Sequence, residues 1–161
     1  MDIRRATIGD AEAIRLIYNT EVTGSTATLD LVPRSPAEQV GWMVAHSGVY
    51  PVVVAEKGGL VVGFAALSPY RPRPGYATAV EDSIYVAEDH RGQSIGRQLL
   101  EGAVDMARTH GFHSIVARVS ATQQASVALH QACGFDFVGV EREIGRKFGR
   151  WIDVAILQLL L

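Results

Sequence analysis

The residues with the clearest capacity for chemistry lie in one run, Val80 to Leu100, where a strand carrying carboxylates leads through a glycine-punctuated turn into a helix. Arg91-Gly92-Gln93-Ser94-Ile95-Gly96 opens that helix. A helix start has backbone N–H groups without partners and carries the positive end of the helix dipole, so a glycine-rich one is a binding site for a phosphate or pyrophosphate. A Walker loop would close on Gly-Lys-Ser/Thr, and a dinucleotide loop would read G-x-G-x-x-G with an acidic residue about twenty positions on. Neither is present. The competing reading is an ordinary strand, turn and helix with a polar N-cap. Upstream, period-two counting puts Glu81, Ser83 and Tyr85 on one strand face and Asp82 and Ile84 on the other.

Several elements must hold these residues in place. Ser83-Ile84-Tyr85-Val86 is β-branched and aromatic and reads as a strand, whereas Ile95, Leu99, Leu100, Ala103, Val104 and Ala107 recur at helical spacing. Towards the N-terminus, Ile3 to Ala6 is a short strand, and Thr7 to Asp10 turns into a helix from Ala11 to about Thr20. Glu21 to Thr28 is rich in Thr, Ser and Gly and reads as a loop of the kind that lines sites. Ser35-Pro36-Ala37-Glu38 is a capping box with proline at the first helical position, starting a helix to about His46. Val52–Glu56 and Leu60–Leu67 flank the hairpin turn Lys57-Gly58-Gly59, and a third strand runs from about Thr78 to Val86 after a proline-stiffened loop. Ser114–Val119 is a strand, Ala125–Cys133 a helix ended by Gly134, and Phe137–Val140 and Ile152–Leu159 are closing strands. This order predicts an α+β fold, a mixed and mainly antiparallel central sheet flanked by helices.

Composition bounds the function. At 161 residues the chain reads as one domain, 1–161, with 48% hydrophobic and 20% charged residues, ordinary for a soluble globular protein. A net charge of −2 argues against non-specific nucleic-acid binding. The single cysteine, Cys133, excludes an internal disulfide and a cysteine-rich zinc site, reads as a small hydrophobe at a helix end, and leaves no metal expected. No run approaches the ~20 apolar residues of a membrane span, and the start lacks a signal peptide's apolar core, so a cytoplasmic protein is expected.

Arg91-x-x-Ser94-x-Gly96 resembles the R/Q-x-x-G-x-G/A pyrophosphate loop of the GNAT superfamily of N-acetyltransferases. Further blocks are similar to one branch of it, the phosphinothricin and methionine sulfone/sulfoximine N-acetyltransferases. These are I-R-R-A-T, I-Y-N, Y-R-P at Tyr70 to Pro72, V-E-D-S-I-Y-V, S-V-A-L-H-Q-A-C-G-F, and G-R-K-F-G-R-W-I-D-V from Gly145 to Val154. The resemblance covers nearly the whole chain and implies an αβα-layered acyl-CoA N-acyltransferase fold, acetyl-CoA as cosubstrate, a small amino-acid-like substrate and a homodimer.

It also implies roles. Backbone groups of Ile84, Tyr85 and Val86 would serve the thioester arm, Arg91, Gly92, Gln93, Ser94, Ile95, Gly96 and Arg97 the pyrophosphate, and Gln123 and Ser126 the pantetheine. Glu81 matches the general base that must deprotonate the amine, and His130 a second catalytic side chain. Arg71 would take a substrate carboxylate, with Arg73, Tyr76, Asp82, Ser83 and Thr26 completing the substrate set. The residues themselves also allow a strand glutamate paired with a surface cation, a packed histidine and a solvated loop arginine. Two positions depart from the family pattern: Ser94 replaces a glycine, which is tolerated where φ is negative, and Gln123 replaces an asparagine. Lys147 to Trp151 would border the substrate pocket or a dimer contact, or form a plain hairpin turn with Gly149 at its tip. Acetylation of another amine, a polyamine or protein N-terminus, and a non-catalytic acyl-CoA-binding domain are the alternatives.

Overall fold

The computed structural model describes every residue from Met1 to Leu161. Seven strands occur in chain order: β1 (Asp2–Arg5), β2 (Val52–Lys57), β3 (Leu60–Pro69), β4 (Ala79–Val86), β5 (Ser114–Ser120), β6 (Asp136–Lys147) and β7 (Arg150–Leu160). Four α-helices accompany them: α1 (Ala11–Gly24), α2 (Pro36–Ala45), α3 (Ile95–Thr109) and α4 (Gln124–Ala132). One sheet holds all the strands in the order β1-β2-β3-β4-β5-β7-β6. Every neighbouring pair is antiparallel except β4 and β5, which are parallel and so require the crossover that α3 supplies. The fold is therefore the expected mixed, mainly antiparallel sheet with helices on its two faces. None of the helices is long and apolar enough to cross a membrane.

Each face of the sheet has its own core. The stripe read from the sequence, Ile95, Leu99, Leu100, Ala103, Val104 and Ala107, is buried along α3, against Val53, Ala65, Val80 and Ile115 of the sheet. On the opposite face Ile14, Tyr18 and Val22 of α1 and Met43 of α2 close over Val52, Val54 and Phe64. Ser35 caps α2 as its capping box predicts, accepting a bond from the Glu38 N–H.

Two elements run longer than their sequence predicts. α1 continues through Glu21-Val22-Thr23-Gly24, expected as loop, because Val22 is buried against the sheet, and the Thr20 and Thr23 hydroxyls find acceptors in the carbonyls of Leu16 and Asn19. β6 extends to Lys147 across polar sequence, with register shifts between Phe137 and Gly139 and between Glu141 and Gly145. It is the outermost strand, so its polar residues need no second neighbour.

The parallel pairing is short. β4 and β5 are matched only from Ala79–Ser114 to Asp82–Ala117. Beyond that point β4 stays with β3 as far as Val86, and β5 stays with β7 as far as Ser120. The strands part, and a wedge opens between their unpaired edges.

Candidate active site

A cavity of about 760 Å³ fills the wedge. Its walls are Glu81–Val86 of β4, Ala117–Ser120 of β5, the turn around Arg91–Arg97, the end of α1 with the loop Ser25–Leu29, and the first two turns of α4.

At the turn, Gly92 and Ser94 both adopt left-handed backbone, φ 72 and φ 60. The condition under which serine is readily tolerated, a negative φ, is not met: Ser94 stands in the left-handed region at the helix entry, and its hydroxyl makes no cap bond. The Gln98 N–H donates to the Ser94 carbonyl at 3.2 Å as the first bond of α3, which frees the N–H groups of Ile95, Gly96 and Arg97 from helical pairing. All three residues line the cavity. Gly96 allows α4 to approach, since a Cβ there would lie 3.2 Å from Leu129 Cδ2. Arg91 also lines the cavity; its guanidinium donates to the Val86 carbonyl at 3.1 Å and pairs with buried Glu21 of α1. Gln93 does not line it, and its side chain accepts a bond from Lys57 Nζ at 2.8 Å.

The two carboxylates of β4 face opposite sides of the sheet. Glu81 lines the cavity without a salt bridge or hydrogen bond from any side chain, so the surface-ion-pair reading of this residue does not hold. Burial holds its carboxyl above the ordinary value; nearby Arg118 pulls it down, Asp82 pushes it up, and Arg71 and Glu141 act in the same opposing senses. Asp82 is buried on the other face, where its Oδ2 lies 2.9 Å from His130 Nε2. The other ring nitrogen, Nδ1, lies 2.7 Å from the Ser126 carbonyl, which can only accept, so Nδ1 carries a proton. One more proton must then sit between Nε2 and Oδ2. Burial works against a charged imidazole, but the Asp82 bond and charge outweigh it and leave the His130 pKa raised. The second Asp82 oxygen, Oδ1, is buried without a partner.

Ile84, Tyr85, Val86, Ser83, Gln123 and Ser126 all line the cavity, as the sequence implied. Thr26 lines it too, though its hydroxyl is engaged with that of Thr122 at 2.8 Å. Arg71, Arg73 and Tyr76 do not: they are exposed on a proline-rich loop, where Arg71 lies over the Tyr70 ring at 5.0 Å and Tyr76 meets it edge-on at 5.6 Å. The guanidinium that does reach the cavity is Arg118 of β5, gripped by both oxygens of Glu141 at 2.9 and 2.6 Å. Sequence reasoning passed over it. The signal was a lone arginine inside the otherwise apolar run Ile115-Val116-Ala117-Arg118-Val119.

A cavity at a parting of parallel strands, lined by free helix-start N–H groups and by an unpaired carboxylate, is an arrangement that suits an acyl-CoA-dependent transferase. The model of the Acetyltransferase (GNAT) family matches residues 16–135, and the chain belongs to this family and is an N-acetyltransferase. An L-methionine sulfoximine/L-methionine sulfone acetyltransferase of Pseudomonas paraeruginosa is 38% identical over 99% of this chain and 94% of its own. The crystal structure of a phosphinothricin acetyltransferase from Sinorhizobium meliloti in complex with acetyl-CoA superposes with a TM-score of 0.96 at 37% identity, covering 99% of this chain and 88% of that one. That of a ribosomal-protein-alanine N-acetyltransferase from Brucella melitensis gives a TM-score of 0.98 at 37% identity over 100% of both chains.

Proposed function

We propose that this protein transfers the acetyl group of acetyl-CoA to the α-amino group of a small amino-acid-like substrate of the phosphinothricin, methionine sulfone or methionine sulfoximine type, with Glu81 as general base. The observation that carries the reading is Glu81 itself, half-buried and unpaired where β4 and β5 part. An α-amino group is largely protonated near neutrality and cannot attack until it loses that proton. A positioned carboxylate whose pKa lies above the ordinary value removes it more effectively, an effect of about 10²–10⁴ in rate. Acetyl-CoA supplies the activated acyl group as a thioester. The N–H groups of Ile95, Gly96 and Arg97 suit its pyrophosphate, and the open edge of Ser83–Val86, facing Gln123 and Ser126, suits the amides of its pantetheine. His130, held by Asp82, is the second proton-transfer group in this proposal.

For the substrate carboxylate, Arg118 joins Arg71 as a candidate because it lines the cavity beside Glu81. Arg118→Ala and Arg71→Ala, each assayed on a free amino acid and on its methyl ester, separate them: the variant that has lost its discrimination between acid and ester marks the residue. We also propose a homodimer, supported by exposed Val138, Val140, Phe148 and Trp151 on β6 and its hairpin and testable by sedimentation, and a cytoplasmic location, testable by fractionation.

The likeness to a ribosomal-protein-alanine N-acetyltransferase favours one second reading, acetylation of a protein N-terminus. Thiol release from acetyl-CoA decides. Methionine sulfone, methionine sulfoximine and phosphinothricin should react faster than lysine, spermidine or an alanyl peptide. A faster peptide would replace the amino-acid reading, and no thiol release with any of these amines would leave only acyl-CoA binding.

A further inference from the structure

Much of the family resemblance sits in Gly145-Arg146-Lys147-Phe148-Gly149-Arg150-Trp151, yet none of these residues lines the cavity. The segment is the β6–β7 hairpin. Lys147 pairs with Arg150, and the two residues between them, Phe148 and Gly149, both have positive φ, 50 and 71, as a type I′ turn requires. Lys147 is only 3% exposed, and a buried ammonium is costly unless its protons find acceptors. It finds them in backbone: Nζ donates to the Thr28 carbonyl at 2.7 Å and the Glu21 carbonyl at 3.3 Å. One lysine thereby spans the last turn of α1 and the loop that follows it.

A second contact reaches the same loop independently. A Cβ on Gly145 would lie 2.6 Å from Leu29 Cδ1, so an added methyl group would push the end of that leucine aside. Gly145 has no positive φ, and what its missing Cβ leaves is room for Leu29 in its present position. Thr26, Thr28 and Leu29 are cavity wall.

We propose that Gly145 and Lys147 are positioning residues that set the wall Thr26–Leu29, and through it decide which amine is accepted, without touching the substrate. The inference rests on the amino-acid reading above. It assigns the hairpin a specificity role that its place outside the cavity conceals.

The test is steady-state kinetics on wild type, Gly145→Ala, Lys147→Met and the double variant Gly145→Ala/Leu29→Ala, with methionine sulfone and phosphinothricin as amines, alongside acetyl-CoA titration and thermal melting. Gly145→Ala should raise KM for methionine sulfone about fivefold or more, with kcat and acetyl-CoA affinity within about twofold of wild type. The ratio of kcat/KM between the two amines should shift about threefold, a change that a general loss of folded protein cannot produce. Lys147→Met should act in the same direction. Adding Leu29→Ala to Gly145→Ala removes the clash and should recover folding and part of the KM even if the single variant folds poorly. An unchanged KM and amine ratio in folded variants overturns the proposal while leaving the amino-acid reading intact. No turnover of either amino acid by wild type overturns that reading, and the proposal with it.

Discussion

Replacing Ser94 by glycine should stabilise this protein and leave acetyl-CoA binding at least as tight. Ser94 stands at φ 60, ψ 12, where a residue with a Cβ carries a strain of about 1–2 kcal/mol. Glycine removes that strain but gives up about 0.5–1 kcal/mol of chain entropy on folding, which leaves a net gain within about 0–1.5 kcal/mol, centred on about 0.75. Nothing on the serine side offsets this, since the hydroxyl makes no cap bond. For a chain of this size the central value corresponds to a rise of roughly 1–4 °C in melting temperature. Gly92→Ala is the control of opposite sign: at φ 72, with no atom within 4 Å of the added Cβ, its cost is conformational alone. It should lower stability by about 1 kcal/mol. Paired thermal and urea melts, with and without acetyl-CoA, measure both variants. A lower melting point for Ser94→Gly, or acetyl-CoA binding weakened more than about threefold, would show that the serine hydroxyl has a partner, and would refute the strain argument.

Glu81→Gln should lower kcat by about 10²–10³ with acetyl-CoA affinity unchanged, and the wild-type rate should fall with acidification at a pH above the ordinary carboxylate range, because protonated Glu81 cannot accept. An unaltered rate–pH profile in the variant would move the base elsewhere. His130, with its pKa raised in the folded state, contributes stability that is complete below about pH 6 and fades as pH rises through the raised value, so Asp82→Asn should be most destabilising near pH 5.5 and less so near pH 9. Urea melts across that range check it, and a gap that widens with pH would mean that folding releases the shared proton instead of holding it. Asp10, pulled down to about 2 chiefly by its bonds to Arg4, works in the other sense. Asp10→Asn should cost about 1–2 kcal/mol near neutrality, and that difference should vanish as wild type is taken from about pH 4 down through 2.

The parts legible in the sequence were those fixed by local rules. The α3 stripe, the Ser35–Glu38 capping box and the Gly58-Gly59 hairpin turn each follow from a few adjacent residues. The end of α1 was illegible because Val22 stays helical through burial against distant strands, which outweighs its weak helix propensity. β6 was hidden by bulges that break the alternation. At the site, the strand face of Glu81 and the glycine-punctuated turn into α3 follow from adjacent residues, whereas the Asp82–His130 contact joins residues 48 apart and Lys147 reaches back 119 positions to Thr28. Arg71 shows the converse: a motif gave the residue type, but the direction of a proline-stiffened loop is set by what it packs on, here a pair of tyrosines.

The place where β4 and β5 part explains how one strand can both carry the proposed base and offer an open edge. Glu81 and Asp82 are the last β4 residues paired on both sides, Glu81 with Ser68 and Val116, Asp82 with Leu67 and Ala117. Their backbones are fixed by two ladders, so Glu81 is presented from a rigid position, and Asp82 points through the sheet to hold His130. From Ser83 onward only β3 remains, and the freed edge can pair with an extended ligand as it would with another strand. Two more residues of parallel pairing would cover that edge with β5 backbone and leave the amides of a pantetheine arm without partners. Two fewer would leave Glu81 on a strand held from one side, where a displacement of about 1 Å is enough to cost about a hundredfold in rate. The proposed roles therefore require pairing to stop directly after the Glu81-Asp82 pair, as it does, and alternation along β4 puts Glu81 on one face and the His130 anchor on the other.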